Sequence, residues 1–218
     1  MLPFEEIRSL AQVTPSRIVL LVMDGIGGLP HPQTGRTELE SARRRNLDRV
    51  ARDSICGMSH PVSPGITPGS APGHMALFGY DPVKFQFGRG IVEALGLDIE
   101  VGPGDIVARG NFCTVDSSGS ITDRRAGRLA TATNRELCDL LNKQVRVDGV
   151  QTEFFPGKEH RFVLRLRGQG LSDRVADTDP QHEGMRPLPA RALAPEAEPT
   201  ALAARSLVEQ VESFLAAR

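Results

Sequence analysis

The chain has 218 residues, of which 39% are hydrophobic and 24% charged, a composition typical of soluble globular proteins. Its formal net charge of -1 argues against general affinity for nucleic acid or anionic membranes, and no apolar run reaches the roughly 20 residues that span a bilayer. The three cysteines lie far apart and form no CxxC pair, which favours a reducing, cytoplasmic location.

The first predicted strand is the aliphatic run over residues 18–23. Continuous β-branched and aliphatic residues favour a strand that is buried on both faces, as in the parallel sheets of α/β folds. Asp24 follows directly, at the carboxyl end of the strand, where open α/β sheets bind ligands. An aspartate in this position is also common as a plain turn residue.

A helix and a second extended segment are predicted next. Thr37 and Glu40 have the spacing of a capping box at the start of a helix over 37–54. The segment 55–66 then returns towards the sheet, which gives a strand–helix–strand order. This order predicts the first part of a parallel α/β core, which we place at residues 1–96.

The stretch GITPGSAPGHMALFGYDP, residues 65–82, places Ser70 between glycines and prolines. Pro72 suits the first turn of a helix, so we expect Ser70 at a helix amino terminus, where free N–H groups favour an anion. Ser70 is then either a simple N-cap or a nucleophile, activated by that terminus and by a divalent metal on Asp24. His74, one turn later, fits a phosphate contact or a packed capping residue equally well.

A separate α+β module is predicted over residues 97–188, where glycine and proline become frequent. Its first hairpin turns at 117–120, and its second turns at Pro156 and Gly157. Between the hairpins, leucines on one side of the segment 133–144 predict a helix.

The last segment, 189–218, combines a Pro/Ala-rich linker with an amphipathic helix over 201–217. These elements do not supply neighbours on both sides of the first predicted strand. The chain is therefore expected to be the front part of a larger fold, with the final helix leading back to a missing core. We also expect it to self-associate or to be poorly ordered in its first part, while the module folds on its own.

Eight segments, in order and spread over nearly the whole chain, resemble the archaeal-type cofactor-independent phosphoglycerate mutases of the alkaline phosphatase superfamily. They are LLVMDGIGG, GRTELESARRRNLDRVA, PVSPGITPGSAPGHMALFGYDP, GRGIVEALG, RGNFCTVD, DRRAGRL, EHRFVLRLRG and DTDP. The resemblance implies an α/β fold: a partial alkaline-phosphatase-like parallel-sheet core with an inserted α+β module. It also implies an isomerase of glycolysis and gluconeogenesis that interconverts 2-phosphoglycerate and 3-phosphoglycerate.

The same resemblance assigns roles to individual residues. Ser70 would be the phosphoryl acceptor, and Asp24 and Ser70 would be ligands of one of two divalent metal ions (Mn²⁺, Mg²⁺, Co²⁺ or Zn²⁺), with no bisphosphoglycerate. The module would bind the small phospho-acid, because arginine pairs in a bidentate way with carboxylate and phosphate. The candidate substrate-binding residues are Arg109, Arg124, Arg125, Arg128, His160 and Arg161.

Members of this family are nearly twice as long, with their remaining metal ligands in a carboxyl-terminal segment. The resemblance therefore implies that this chain is inactive by itself and is completed by a further segment. Two alternatives stay open: a metal-dependent phosphatase or other phosphomutase of the same superfamily, and a non-catalytic fragment that assembles with a second chain. Asp177, Asp179 and His182 also have a metal-binding composition, although the resemblance makes them part of a loop of the module.

Overall fold

The structure is a computed structural model that describes residues 4–23, 25–66 and 68–216. Helices and strands are mixed along the chain, which divides into two units, Met1–Phe85 and Gln86–Arg218. None of the described helices combines the length and the apolar character that a membrane crossing requires.

The first unit contains short helices joined by long segments without regular structure. They are α1 (Phe4–Ser9), α2 (Glu38–Ser41), α3 (Arg45–Arg52) and α4 (Ser70–Leu77). The predicted capping box is confirmed, since the Thr37 hydroxyl accepts from the Glu40 N–H at 3.2 Å and the Glu40 carboxylate accepts from the Thr37 N–H at 2.8 Å. The helix predicted over 37–54 is interrupted at 42–44.

The strands predicted in the first unit are not formed. Residues 18–23 and 55–66 have no strand pairing, and Ile18 and Val19 are 96% and 89% exposed. A strand that is apolar on both faces needs a hydrogen-bonded neighbour on each side. The strands within the described ranges all lie in the second unit and pair with one another, so this segment has no such neighbour. The strand–helix–strand prediction is therefore wrong for the described residues.

The second unit is built on a three-stranded antiparallel sheet in the order β1 (Ile106–Asn111), β5 (Arg161–Arg167), β4 (Gln151–Pro156). A separate antiparallel pair, β2 (Thr114–Val115) and β3 (Ile121–Asp123), lies beside the turn that was predicted at 117–120. The elements of this unit are α5 (Arg89–Gly96), β1 (Ile106–Asn111), β2 (Thr114–Val115), β3 (Ile121–Asp123), α6 (Thr131–Gln144), β4 (Gln151–Pro156), β5 (Arg161–Arg167) and α7 (Glu198–Ala216), with 3₁₀ turns at Ala126–Arg128 and Pro195–Ala197.

The second predicted hairpin and the helix between the hairpins are confirmed. β4 and β5 pair across the turn that follows Pro156, and α6 covers the predicted helix. The first predicted hairpin is only partly formed, because its first strand is divided: β1 pairs with β5, whereas β2 pairs with β3.

Each face of the three-stranded sheet packs against helices. On one face, Phe154 of β4 packs with Leu141 of α6 and Leu207 of α7. On the other face, Val163 of β5 packs with Ala94 of α5. Successive strand residues alternate between these two cores, as the pleat requires. The final helix is thus packed into the core of the second unit, while the expectation that it leads back to a missing core stays a prediction.

The aromatic packing at the end of β1 determines which side chains reach the opposite face. Gly110 lies opposite Phe162 in the β1–β5 register, and the Phe162 ring fills the space where a side chain of residue 110 would stand. Phe162 also packs against Phe112, with 4.8 Å between the ring centroids. Because strand residues alternate, Arg109 and Asn111 point to the other face at this end of the sheet.

Candidate functional site

The six predicted substrate-binding residues line one cleft of the second unit, with a volume of about 420 Å³. Its remaining lining residues are Asn111, Lys158 and Glu159. We call it the arginine cleft; its full lining is Arg109, Asn111, Arg124, Arg125, Arg128, Lys158, Glu159, His160 and Arg161. The structure thus brings together residues that lie in three separate stretches of the sequence, 109–111, 124–128 and 158–161.

The strands β1 and β5 supply one wall of the arginine cleft. Arg109 and Asn111 alternate with Gly110 along β1, and Arg161 is paired with Asn111 at the start of β5. Burial lowers the pKa of the Arg109 guanidinium, and the charge of nearby Arg89 lowers it further. A guanidinium that is partly desolvated and close to other cations is stabilised when an anion binds beside it.

The segment after β3 supplies the arginines at 124, 125 and 128. The carboxylate of Asp123 holds this segment by accepting from the backbone N–H groups of Arg125 at 2.7 Å and Gly127 at 2.6 Å. These hydrogen bonds lower the pKa of Asp123. Gly127 lies at φ 62°, in the left-handed region that glycine adopts most easily.

Helix α6 holds the turn between β4 and β5, which forms the rest of the lining. The buried Asn134 amide donates to the carbonyl oxygens of Glu159 at 2.5 Å and Arg161 at 2.6 Å. The Thr131 hydroxyl accepts from the Glu159 N–H at 3.0 Å. The Cys138 thiol donates to Asn134 Oδ1 at 3.2 Å, and burial raises the pKa of this thiol to about 12, so it stays protonated.

The charges of the arginine cleft are strongly unbalanced. Five arginines and Lys158 face one carboxylate, that of Glu159. Arg124 is partly neutralised from behind by Asp179, with contacts of 3.2 and 2.6 Å, which raise the pKa of Arg124 and lower that of Asp179. The net positive charge and the guanidinium geometry suit a ligand with more than one anionic group.

His160 is the buried neutral member of the cleft. It is 5% exposed, and burial, followed by the charge of Arg161, lowers its pKa. Its Nδ1 atom is buried without a hydrogen-bond partner in the described structure and lies 4.0 Å from the Glu159 carboxylate. The lowered pKa keeps the imidazole neutral at pH 7.

The loop that contains Asp177, Asp179 and His182 does not form a metal site within the described ranges. Asp179 pairs with Arg124, and Asp177 pairs with Arg89 at 2.8 Å. No group of three or more His, Cys, Asp or Glu side chains in the part of the chain that the structure describes is placed to hold a metal ion.

Ser70 is the first residue of α4, which agrees with the helix start predicted from Pro72. It is exposed, and its carbonyl oxygen lies 2.6 Å from His74 Nδ1, so His74 makes a local helix contact. Asp24, the other predicted metal ligand, lies outside the described residues. Ser70 belongs to the first unit, whereas the arginine cleft belongs to the second.

Sequence comparisons give a consistent result over most of the chain. A family profile for 2,3-bisphosphoglycerate-independent phosphoglycerate mutase matches residues 51–218. A Thermus thermophilus protein named "Probable 2,3-bisphosphoglycerate-independent phosphoglycerate mutase" is 48% identical over 213 residues, which are 97% of this chain and 52% of that protein. A Thermotoga neapolitana protein of the same name is 47% identical over 210 residues, 96% of this chain and 52% of that protein.

Solved structures agree with these relatives. A cofactor-independent phosphoglycerate mutase from Thermoplasma acidophilum is 37% identical, with a TM-score of 0.56 over 90% of this chain and 51% of that one. A Pyrococcus horikoshii protein at 23% identity shares the fold, with a TM-score of 0.58 over 87% of this chain and 42% of that one. The mixed α/β class is thus confirmed, and the chain spans about half the length of the curated relatives it matches.

Proposed function

Because the chain belongs to the family of 2,3-bisphosphoglycerate-independent phosphoglycerate mutases, we propose that it forms part of an isomerase of glycolysis and gluconeogenesis. The reaction interconverts 2-phosphoglycerate and 3-phosphoglycerate in the cytoplasm, without bisphosphoglycerate. The observation that carries this proposal is the arginine cleft, in which six cationic side chains and one carboxylate line a volume of about 420 Å³.

The arginine cleft, within the proposed module 97–188, holds the phospho-acid. Phosphoglycerate carries two anionic groups, a planar carboxylate and a tetrahedral phosphate. Each of them accepts paired hydrogen bonds from guanidinium groups. Arg109 and Arg161 extend from adjacent strands, so their positions are determined by the sheet and not by a loop. Side chains that a sheet already holds in position lose little conformational freedom when the ligand binds. This favours precise orientation of the substrate.

Ser70 is the proposed phosphoryl acceptor. As the first residue of α4 it lies among backbone N–H groups that have no partner within the helix, and these stabilise an alkoxide or a phosphate. A divalent metal held by Asp24 and Ser70 would lower the pKa of the serine hydroxyl. The other metal ligands would come from a segment equivalent to the half of the relatives that this chain does not match.

Phosphoryl transfer then follows a phosphoserine route. The Ser70 oxygen attacks the phosphorus in line, the glycerate oxygen leaves, and the other hydroxyl of the bound glycerate later accepts the phosphoryl group. The cationic groups stabilise the charge on the phosphoryl oxygens at each step. We expect turnover only when the remaining half of the enzyme completes the site.

Binding of 3-phosphoglycerate to this chain tests the cleft. Isothermal titration should show that Arg161→Ala weakens binding at least tenfold, which corresponds to about 1.4 kcal/mol for one charge-assisted contact. Arg45→Ala, a change of an exposed arginine in the first unit, should leave the dissociation constant unchanged. Equal effects of the two changes would contradict a specific site.

Ser70 is tested in the chain extended by the remaining half of the Thermus thermophilus relative. A coupled assay should detect 2-phosphoglycerate from 3-phosphoglycerate, and Ser70→Ala should abolish turnover while the fold is retained. Release of inorganic phosphate without the isomer would instead favour a phosphatase of the same superfamily. Unchanged turnover in the Ser70→Ala enzyme would exclude the phosphoserine route.

A further inference from the structure

Two buried polar atoms in the arginine cleft have no hydrogen-bond partner in the described structure. They are Asn111 Oδ1 and His160 Nδ1. Native proteins rarely leave such atoms unsatisfied, because an unmade buried hydrogen bond carries a penalty of about 1–3 kcal/mol. Both residues line the same cleft, so a ligand in that cleft is the natural partner for their unpaired atoms.

The sheet brings these two residues to the same place. Asn111 ends β1 and is paired with Arg161 at the start of β5. The next residue, Phe112, donates its backbone N–H to the His160 carbonyl at 2.8 Å. Gly110 leaves the opposite face of β1 to the Phe162 ring, so the Asn111 side chain is directed away from the aromatic core.

The arginine cleft has many donors and few acceptors. Arginine and lysine side chains donate hydrogen bonds and accept none. A hydroxyl group on a ligand needs an acceptor for its proton, and Asn111 Oδ1 is a neutral acceptor that is already desolvated. Glu159 also accepts, but its side chain is 37% exposed, so water satisfies it at little cost.

We propose that Asn111 determines specificity in the arginine cleft: its Oδ1 accepts the hydroxyl proton of the bound acid, and His160, which lines the same cleft, offers Nδ1 as a second neutral partner. The cleft thus selects phospho-acids that carry a free hydroxyl over phospho-acids of equal charge that lack one. This inference rests on the proposed function and extends it by naming the group that recognises the hydroxyl. Sites built around a substrate hydroxyl reject analogues without it, because the polar atoms of the site are then left unpaired.

Titration calorimetry with two ligands tests this on the 218-residue chain. The ligands are 3-phosphoglycerate and 3-phosphooxypropanoate, which keeps the phosphate and the carboxylate and lacks the hydroxyl. The unmodified chain should bind 3-phosphoglycerate roughly tenfold more tightly. Asn111→Ala should bring the two dissociation constants within about twofold of each other by weakening 3-phosphoglycerate alone. Asn46→Ala, in helix α3 of the first unit, is the matched control and should keep the full preference.

A second variant separates loss of the acceptor from loss of the fold. Asn111→Asp keeps an acceptor oxygen at the same place and adds a negative charge, so both affinities should fall while their ratio is kept. Equal binding of the two ligands by the unmodified chain, or a full preference in folded Asn111→Ala, would overturn the inference and leave the proposed function intact. Failure of both ligands to bind at millimolar concentration would refute the proposed function, and the inference with it.

Discussion

Gly110→Ala is the sharpest test of the packing that shapes the arginine cleft. A Cβ at this position would stand 2.2 Å from Phe162 Cζ and 2.3 Å from Cε2, whereas carbon atoms in contact are normally about 3.5–4.0 Å apart. The ring has little room to move, because it packs between Phe112 and Phe154 with centroid distances of 4.8 and 5.7 Å. Overpacking of this kind costs about 1–3 kcal/mol, so we expect the free energy of unfolding to fall by about 2 kcal/mol.

Urea unfolding followed by circular dichroism and by amide exchange in β1 and β5 measures this loss. With a slope of about 2 kcal/mol/M, the midpoint for the second unit should fall by about 1 M. Gly96→Ala is the control, because a Cβ at this last residue of α5 meets nothing within 4 Å. Adding Phe162→Leu to Gly110→Ala should cost less than the sum of the two single changes. An unchanged midpoint for Gly110→Ala, or strict additivity in the double variant, would refute the reasoning.

Two further changes probe the hydrogen bonds of the second unit. Asn134→Ala removes the donors to the Glu159 and Arg161 carbonyls, so it should lower the free energy of unfolding by about 2–3 kcal/mol and weaken 3-phosphoglycerate binding. Denaturation measures the first effect and calorimetry the second. Unchanged affinity in the folded variant would show that the turn does not depend on the Asn134 hydrogen bonds. Hydrogen bonds from Arg167 lower the pKa of Asp105 from 3.8 to about 2, so its charged form stabilises the fold above pH 4 and this contribution is lost as the pH falls towards 2. The stability advantage over Asp105→Asn should therefore shrink across that window; a constant difference in urea midpoint from pH 7 to pH 2 would contradict this.

Local patterns were sufficient for the elements whose partners are close in sequence. The β4–β5 hairpin could be predicted because its turn and the alternation along β5 lie within one short stretch. Helix α6 could be predicted because its leucines repeat with the helical period. The capping box at Thr37 depends on residues three positions apart, so it too is visible without the fold.

The candidate residues of the arginine cleft followed from the resemblance of short motifs, and only the fold brings them together. Arg109 and Arg161 are far apart in the chain but lie on adjacent strands, because β1 pairs with β5 and not with the strand that follows it. Asn111 was missed, since an asparagine after an arginine and a glycine has no distinctive local pattern. Its importance depends on an unpaired atom in a cleft, which is a property of the assembled sheet.

The sequence by itself determined the β4–β5 hairpin, helix α6, the family and the set of cationic residues, because each of these depends on residue types at short spacing or on ordered motifs. Only the tertiary structure decided the exposure of residues 18–23, the packing of α7 into the second unit and the need for glycine at 110. An aliphatic run indicates that a strand is suited to burial. Burial itself requires neighbouring strands, which lie elsewhere in the sequence. Strand pairing and side-chain packing are contacts between distant residues, so their outcome is decided by which surfaces meet when the chain folds.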